Sequence, residues 1–376
     1  MSEKTIHIVD LDVPYPPTYG AAIDMYCRIK SLHQLGVKII LHCFEYGRGE
    51  SKRLNKYCEQ VYYYPRKSIW QFPFTREPHI VFSRRNELLF DRLFADGFPV
   101  LLEGVHTCSV LMDKRYKQKK FYVRMHNVEH EYYGYLAKAT LYGLKRYYYW
   151  SESKRLKVFE KNLNRAQCLF SVSERDHATL SAHFPRVEYL PPFINSDEID
   201  CKPGMGRNVL YHGNLHVEEN LQAAKFLIKE VFPGLGIRLL IAGTGAGALD
   251  EATNEPNIIF IDSPTASHLK ELIQNAHINA LPTFQPTGIK HKLINSLFGG
   301  RHCVVNPQMV EGNGLAQYCH VAKDASEMRQ MIQDLFTKDF TQEEIDRRKA
   351  TLQPIYSNIN NAKKLVEVIY GNTQNL

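Results

Sequence analysis

Short apolar runs rich in valine, isoleucine and aromatic residues alternate with segments of helical period along nearly the whole chain. This order of strand, helix and strand is typical of parallel sheets covered by helices. The first half contains the strand candidates Ile6–Leu11, Val37–Phe44, Val100–Leu102, Phe121–Met125 and Cys168–Val172. The second half contains the strand candidates Asn208–Tyr211, Arg238–Ala242, Ile258–Ile261, His277–Ala280 and Cys303–Val305. The pattern predicts an α/β fold of two doubly wound, Rossmann-like domains that face each other across a cleft.

The boundary between the two domains is marked by the segment Leu190–Arg207, which concentrates proline, glycine and polar residues. A chain of 376 residues has the length of two ordinary domains. We predict a first domain over residues 1–192, a linker over 193–206 and a second domain over 207–356. Apolar residues recur at helical spacing in Asn358–Tyr370. The stretch 357–376 is therefore expected to form a terminal helix that packs back on the first domain.

Composition narrows the classes of partner and compartment. Lys and Arg number 47 against 40 Asp and Glu, so the formal net charge of +7 favours anionic partners. Nucleic acid is not expected, because the chain has no recognition-helix, zinc-finger or ribonucleoprotein motif. No apolar run approaches the roughly 18 residues that span a bilayer, and the N-terminal stretch lacks the layout of a secretion signal. We expect a cytoplasmic protein, either free or peripheral at the inner face of the membrane.

The stretch Ala280–Leu297 carries the strongest functional signal. It runs from a strand end through a proline-containing loop into a helix that we predict to start near Thr287 or Gly288. The free N–H groups and the dipole of such a helix, at the carboxyl edge of a parallel sheet, attract anions. Lys290 and Lys292 oppose that dipole, so a bound anion would compensate them. Two solvated surface lysines are the alternative interpretation.

Four segments form a recognisable set in chain order: Ser171–Glu174, Val209–Asn220, Leu239–Gly245 and Gly288–Asn306. Together they resemble the retaining glycosyltransferases of family 4, whose GT-B architecture has two Rossmann-like domains. The resemblance covers nearly the whole chain. It implies a metal-independent hexosyltransferase that uses a UDP- or GDP-linked sugar and retains the anomeric configuration. The acceptor would be a saccharide or a lipid-linked glycan in cell-surface polysaccharide biosynthesis, and no cofactor is implied.

The resemblance places the donor site in the second domain. The implied donor-binding residues there are Gly213, Asn214, Gly243, Thr287, Gly288, Ile289, Lys290 and Asn295, and Gly20 joins them from the first domain. The candidate catalytic residues are Lys292 and, in the first domain, His126. The cation of Lys292 would offset the charge that grows on the leaving phosphate.

Two departures from the family pattern remove charged groups. The paired glutamates of the family fall at Thr287 and Asn295, so neither carboxylate is present. Asn295, which is predicted on the same helix face as Lys292, can still bond a ribose hydroxyl as a neutral group. The basic pair that meets the diphosphate in the family falls at Asn214 and Glu219. These losses leave open a second interpretation, a non-catalytic GT-B partner protein without turnover.

The first domain offers residues for the sugar and the acceptor. Pro14–Ala22 resembles the flexible glycine loop of the family, in which Gly20 would let the backbone approach a ligand. A plain proline-rich turn is the alternative. His126, directly after the strand candidate Phe121–Met125, falls where the family places a histidine that touches the transferred sugar; a structural histidine is the alternative. Candidates for acceptor binding are Tyr19, Glu129 and His130.

The stretch Leu141–Lys161 interleaves aromatic and basic residues. On one helix, such residues suit an anionic membrane surface, where lipid-linked acceptors reside. Aromatic residues packed in the core are the alternative interpretation.

A glycine turn supports the main rival activity. Gly243-Thr-Gly-Ala-Gly follows a strand candidate and Asp262 ends the next one, which is the spacing of a dinucleotide-binding oxidoreductase. Leu249–Thr253, however, leaves little helix between the two strands, so we rank this alternative below glycosyl transfer. Asp10-Leu-Asp12 has the spelling of a metal-binding Asp-x-Asp motif, but it ends the first strand before a nucleotide-binding unit is complete. The scattered cysteines lack metal-ligand spacing as well, so no metal is expected.

Overall fold

The computed structural model describes residues 3–68, 77–140, 143–247, 249, 255–285 and 290–371. Its contacts divide the chain into two compact units. Unit 1 comprises the described residues of Met1–Asn195 and Tyr356–Leu376, and unit 2 comprises those of Ser196–Pro286 and Lys290–Ile355. Within the described part, no helix has both the length and the apolar character that a bilayer span requires.

Unit 1 is built on a parallel sheet of seven strands in the order β3-β2-β1-β4-β5-β6-β7. The strands are β1 (Thr5–Asp10), β2 (Lys38–Glu45), β3 (Gln60–Pro65), β4 (Val100–Glu103), β5 (Phe121–Met125), β6 (Cys168–Ser171) and β7 (Val187–Tyr189). The central strands β4, β5 and β6 are buried along their whole length. Continuous burial explains their unbroken apolar runs, since both faces of the sheet are covered by helices.

The helices of unit 1 cover the two faces of its sheet. They are α1 (Gly20–Gln34), α2 (His79–Phe82), α3 (Glu87–Phe94), α4 (Glu129–Ala139), α5 (Gly143–Phe159), α6 (Glu174–Ser181) and, at the end of the chain, Asn358–Tyr370. The terminal helix packs beside α1, with Ala362, Leu365 and Ile369 in the same core cluster as Ile23 and Leu32. The opposite face buries apolar residues of α2, α3 and α5.

Unit 2 repeats the arrangement with a parallel sheet of six strands in the order β10-β9-β8-β11-β12-β13. The strands are β8 (Val209–His212), β9 (Leu239–Gly243), β10 (Ile258–Asp262), β11 (Ile278–Ala280), β12 (His302–Val305) and β13 (His320–Val321). The helices are α7 (Glu218–Phe226), α8 (Ala266–Asn275), α9 (His291–Gly299), α10 (Pro307–Val310), α11 (Ala325–Leu335) and α12 (Gln342–Thr351). The terminal helix Asn358–Tyr370 is α13. The predicted α/β fold of two doubly wound domains is confirmed.

The sequence pattern missed three strands, and all three lie toward the edges of their sheets. β3 and β7 are the two edge strands of the sheet in unit 1, and β13 is an edge strand of the sheet in unit 2. An edge strand buries less of its surface, so it does not need an unbroken apolar run. Tyr62 and Tyr63 in β3 are only half-buried, and β13 has two residues.

Candidate functional site

Each sheet has a point at which the strand order reverses, and doubly wound sheets bind ligands beyond the carboxyl ends of the strands there. In unit 2 this point lies between β8 and β11. The chain leaves β8 at Gly213 and passes within contact distance of Gly243, at the end of β9. Gly243 has φ +151°, and a Cβ at this position would overlap the carbonyl oxygen of Gly213. Gly243 is therefore required for the close approach of the two turns.

The glycine turn after β9 is closed by an acidic side chain. The carboxylate of Asp262, at the end of β10, accepts a hydrogen bond from the N–H of Gly245 at 2.8 Å and also bonds the N–H groups of Ala246 and Gly247. In a dinucleotide site these amides would face the phosphates and the acidic residue would bind the ribose. Because they bond each other here, the arrangement argues against the oxidoreductase alternative. The predicted short helix Leu249–Thr253 falls largely outside the described residues.

Lys292 lies in the first turn of α9, beyond the carboxyl end of β11. Its Nζ donates to Oδ1 of Asn220 at 2.5 Å and lies 3.5 Å from Oη of Tyr211, with the ammonium 5.3 Å from the centre of that ring. Neither neighbour carries a charge, and within the described residues Lys292 forms no ion pair with a carboxylate. Burial of the ammonium lowers the pKa of Lys292 to about 8, against an opposing effect of Glu219.

The prediction that this helix starts near Thr287 or Gly288 is wrong. Lys290 precedes the first helical residue, His291, and its φ of −90° and ψ of 54° are not helical. The Nζ of Lys290 donates to the carbonyl oxygen of Gln285 at 2.7 Å, which turns the side chain back over the preceding loop. Thr287, Gly288 and Ile289 lie outside the described residues, so their predicted donor contacts stay predictions.

Asn220 and Tyr211 hold Lys292 in place, a role that no sequence pattern predicted for either residue. Besides accepting from Lys292, Asn220 donates from Nδ2 to the carbonyl oxygen of Asn214 at 2.9 Å. Tyr211 donates from Oη to the carbonyl oxygen of Asn220 at 3.0 Å. A Cβ at Gly213 would lie 3.1 Å from Cγ of Asn220, so the glycine leaves room for this amide. The only sequence feature that could have indicated a role for Asn220 is its position at the start of the helix that follows the glycine turn.

The remaining predicted residues of unit 2 lie around Lys292. Asn214 accepts from the N–H of His216 at 3.0 Å and shapes the turn after β8. Asn295 is half-buried on α9, three residues after Lys292 and therefore on the same side of the helix. Thr283, just after β11, is held by Asn306, which accepts from its N–H at 2.9 Å and donates to its carbonyl oxygen at 2.6 Å.

In unit 1 the strand order reverses between β1 and β4, and a buried charge network lies at the carboxyl ends of these strands. Glu103, the last residue of β4, lies 2.5 Å from Nε2 of His126 and also pairs with Arg28. Asp24 accepts from Nε and Nη2 of Arg124, both at 2.8 Å, and from Arg28 at 3.3 Å. Burial alone would raise the pKa of Asp24, but Arg124 and Arg28 together hold the pKa below its usual range.

His126, Asp24 and Glu103 have ligand atoms within 4.8 Å of one another, as a metal site would require. Both carboxylates, however, are bound to guanidinium groups, which already supply the compensating charge. We therefore interpret the cluster as an ion-pair network. The two aspartates of the Asp-x-Asp sequence have different environments. Asp10 is fully buried beside Arg28, whereas Asp12 accepts hydrogen bonds from the N–H of Val13 and from Oη of Tyr19.

The other predicted residues of unit 1 have defined partners. Gly20 is the first residue of α1. Tyr19 precedes it at the N-cap position without a side-chain capping bond, and its hydroxyl donates to Asp12 at 2.8 Å. Glu129 is buried at the start of α4, and burial raises its pKa to about 7. His130 is bound through both its backbone N–H and its ring Nδ1 to Glu160, at 3.0 and 2.6 Å.

Comparison with solved structures finds proteins that match almost the whole chain at low identity. One is TarM, with a TM-score of 0.67 and 10% identity over 98% of this chain and 99% of that chain. Another is trehalose-6-phosphate synthase, with a TM-score of 0.63 and 12% identity over 97% and 98% of the two chains. A third is Anabaena Alr3699/HepE in complex with UDP and glucose, with a TM-score of 0.56 and 10% identity over 98% and 96%.

Sequence comparison finds a curated relative from Klebsiella pneumoniae, an uncharacterized 44.6 kDa protein in the cps region. It is 25% identical over 331 residues, which are 82% of this chain and 84% of the relative. No family model matches the sequence. The structural matches confirm the predicted GT-B fold. The assignment to family 4 stays a prediction.

Proposed function

We propose that this chain of GT-B fold is a glycosyltransferase that takes a sugar from a UDP- or GDP-linked donor. The fold supports the proposal, because the matched structures include glycosyltransferases and one in complex with UDP and glucose. The observation that carries it is Lys292: a cation without a carboxylate partner in the described residues, placed at the start of a helix where doubly wound sheets bind ligands. Charge that grows on a leaving diphosphate is what such a group stabilises.

The proposed division of labour follows from the side chains of each unit. In unit 2, Lys292, Lys290 and the N–H groups at the start of α9 would bind the diphosphate, and Asn295 would bond the ribose. In unit 1, His126 would contact the transferred sugar, as the family resemblance implies. The proposal includes retention of the anomeric configuration and catalysis without a metal ion, because the family resemblance implies both. An acceptor of the saccharide or lipid-linked class, in polysaccharide biosynthesis, agrees with the cps-region location of the relative.

Calorimetric titration of the native protein with UDP, GDP, dTDP and ADP is the direct test. We expect one nucleotide to bind with a dissociation constant between about 1 μM and 1 mM, the range of enzyme substrates, and the others to bind at least about tenfold more weakly. The preferred nucleotide identifies the donor base. If none of the nucleotides binds, the proposed donor site is wrong.

The second candidate function is a non-catalytic GT-B partner protein. It is favoured by the charges that the family pattern has lost here: Thr287 and Asn295 replace the paired glutamates, and Asn214 and Glu219 replace the basic pair. Hydrolysis of the preferred nucleotide sugar separates the two candidates. Slow release of free sugar by the native protein would support the transferase, whereas binding without any hydrolysis or transfer would support the partner protein.

We further propose that α5 lies against an anionic membrane. Leu144 is 90% exposed, Tyr147 65% and Trp150 51%, and they follow one another three residues apart on the same side of the helix. Tyr148 and Tyr149 are half-buried and pack against His79 and Tyr133, and Phe159 is buried in the core, so the core interpretation is right for these three residues. Tyr142 lies outside the described residues. The exposed charged residues of the helix are the cations Lys145, Arg146, Lys154 and Lys157.

The charge distribution on α5 favours an anionic surface over a neutral one. The single acidic residue of the helix, Glu152, is buried and accepts from the backbone N–H of His79 at 3.0 Å. The surface that α5 offers therefore combines apolar side chains with cations, as interfacial helices do. Each cation near an anionic bilayer contributes about 1 kcal/mol.

Vesicle flotation tests the membrane proposal. We expect binding to phosphatidylcholine vesicles that contain anionic phosphatidylglycerol and little binding to phosphatidylcholine alone. The double variant Tyr147→Ser, Trp150→Ser should bind about tenfold more weakly, because the apolar area is lost. Val217→Ser, which changes an exposed apolar residue of unit 2, is the matched control. Equal flotation of native protein and double variant would contradict the proposal.

A further inference from the structure

Arg84 is a buried cation that the proposed mechanism does not use. Its side chain is 5% exposed, and the residue lies just after the short helix α2 in the sequence. It donates from Nε to the carbonyl oxygen of Leu11 at 2.9 Å and from Nη1 to that of Ile80 at 3.0 Å. Within the described residues, Nη2 has no hydrogen-bond partner and no carboxylate pairs with the guanidinium. A buried guanidinium normally pairs with an acid, because water no longer compensates its charge.

Arg66 brings a second guanidinium to the same place. Its Nη2 lies 3.4 Å from Oγ of Ser83, which donates to the carbonyl oxygen of Ile80, the group that also accepts from Arg84. Two cations thus contact one turn of α2. Burial and the charge of Arg66 together lower the pKa of Arg84 to about 9, against a smaller opposing effect of Asp12. The repulsion between these groups is unfavourable for stability, and a bound anion would relieve it.

His106 completes the cluster at the carboxyl ends of β1 and β4. It follows β4 by three residues, and a Cβ at Gly104 would contact both its Nδ1 and the side chain of Leu11, whose carbonyl accepts from Arg84. Nδ1 of His106 is buried without a hydrogen-bond partner in the described part of the chain. Arg66 directly follows β3, so all three side chains lie at the edge of the sheet where His126 also lies.

The neighbouring charges leave this cluster with a surplus of two cations. Arg48 is offset by Asp12, at 3.9 Å, and Arg155 is offset by Glu152, at 3.4 Å. Arg66 and Arg84 have no such partner among the described residues. A surplus of two positive charges matches a phosphate group, which carries about −1.5 to −2 at neutral pH, better than a singly charged carboxylate. Guanidinium groups also fit phosphate oxygens with two parallel hydrogen bonds.

We propose that Arg84, Arg66 and His106 bind a phosphate group of the acceptor, so that the substrate class is a phosphorylated acceptor. That the ligand is an acceptor substrate rests on the proposed transferase function. The phosphate site itself depends only on residues of unit 1. The phosphate belongs either to a sugar phosphate or to a prenyl phosphate of a lipid-linked acceptor. Both sources share the chemistry that the cluster recognises.

The test is calorimetric titration with glucose 1-phosphate, geranyl phosphate and glucuronate, in the presence of the preferred nucleotide so that the donor site is filled. We expect one of the two phosphates to bind and glucuronate to bind at least about tenfold more weakly. The tighter phosphate identifies the source. Arg66→Gln should weaken binding about 10- to 100-fold, because a charge-assisted hydrogen bond is lost. Arg84→Gln should have an equal or larger effect.

Controls separate this proposal from the donor site and from misfolding. Arg85→Gln, which removes a neighbouring exposed cation paired with Glu87, should leave phosphate binding unchanged. Lys292→Met should also leave it unchanged, even if nucleotide binding fails. If Arg84→Gln does not fold, the half-buried Arg66 decides the result. Absence of phosphate binding, binding unaffected by Arg66→Gln, or equally tight binding of glucuronate would overturn the proposal.

Discussion

Lys292→Met is expected to lower kcat/KM for sugar transfer by about 100- to 1000-fold, the usual effect of removing one preorganised group that faces developing charge. Methionine fills nearly the same volume as the lysine stem, so the packing on Tyr211 is retained while the charge is lost. Lys292→Ala should give a similar loss, together with weaker binding of the nucleotide. Steady-state kinetics with the preferred nucleotide sugar and calorimetry on the same preparations measure the two effects separately.

A matched surface lysine controls for the change in net charge. Lys349 is exposed on α12, and Lys349→Met should leave both kcat/KM and nucleotide affinity within about twofold of the native values. Unchanged turnover in Lys292→Met would remove the lysine from the donor site. An equal loss in Lys292→Met and Lys349→Met would show that the effect comes from the change in net charge and not from the position of Lys292.

The pKa of about 8 adds a pH signature to this prediction. The ammonium of Lys292 is charged below this value and neutral above it, and a bound diphosphate favours the charged form. Nucleotide affinity should therefore be full below pH 7.5 and fall as the pH rises through 8 to 9. The terminal phosphate of the nucleotide, with a pKa of about 6, does not titrate in this window. In Lys292→Met the slope between pH 7.5 and 9 should disappear.

The sequence was sufficient to predict the fold because buried central strands of parallel sheets require continuous apolar runs. β5 begins and ends where its run Phe121–Met125 predicts, and α13 coincides with the periodic segment Asn358–Tyr370. The order of the strands could be expected as well, since a doubly wound sheet follows from alternating strands and helices with right-handed crossovers.

The sequence predicted Lys292 but not what holds it. The partners Asn220 and Tyr211 come from two other elements, 72 and 81 residues away in the chain, and no local pattern connects them. The start of α9 was mispredicted for a local reason. The predicted start near Thr287 or Gly288 rested on the proline-containing loop, whereas the helix begins at His291, after Lys290, whose side chain bonds the carbonyl oxygen of Gln285.

The buried charge network of unit 1 could not be predicted either. The network joins residues of α1, β4 and β5: Asp24, Arg28, Glu103 and Arg124. The two arginine partners of Asp24 lie 4 and 100 residues from it in the sequence. On a helix, Asp24 and Arg28 have the spacing of an ordinary surface pair. The structure buries both completely, so the same pair becomes part of the interior.

Asp24→Asn is expected to destabilise unit 1 by about 3–5 kcal/mol, because removing one partner leaves a buried charge uncompensated. The carboxylate accepts from Arg124 twice at 2.8 Å and from the N–H of Phe193 at 2.7 Å. An amide can replace only part of this set and offers N–H groups where the guanidinium also offers them. The midpoint of denaturant unfolding, followed by circular dichroism at pH 7, measures the change.

The exposed pair of Asp91 and Arg115 provides the control for Asp24→Asn. Asp91 is 67% exposed and lies 3.0 Å from Arg115, so Asp91→Asn should cost less than about 1 kcal/mol. The lowered pKa of Asp24 adds a pH test: its contribution is present above the ordinary carboxyl pKa of about 3.9 and is lost as the pH falls below it. The stability difference between the native protein and Asp24→Asn should therefore shrink in acid. A difference below about 1 kcal/mol at pH 7 would show that the network does not stabilise unit 1.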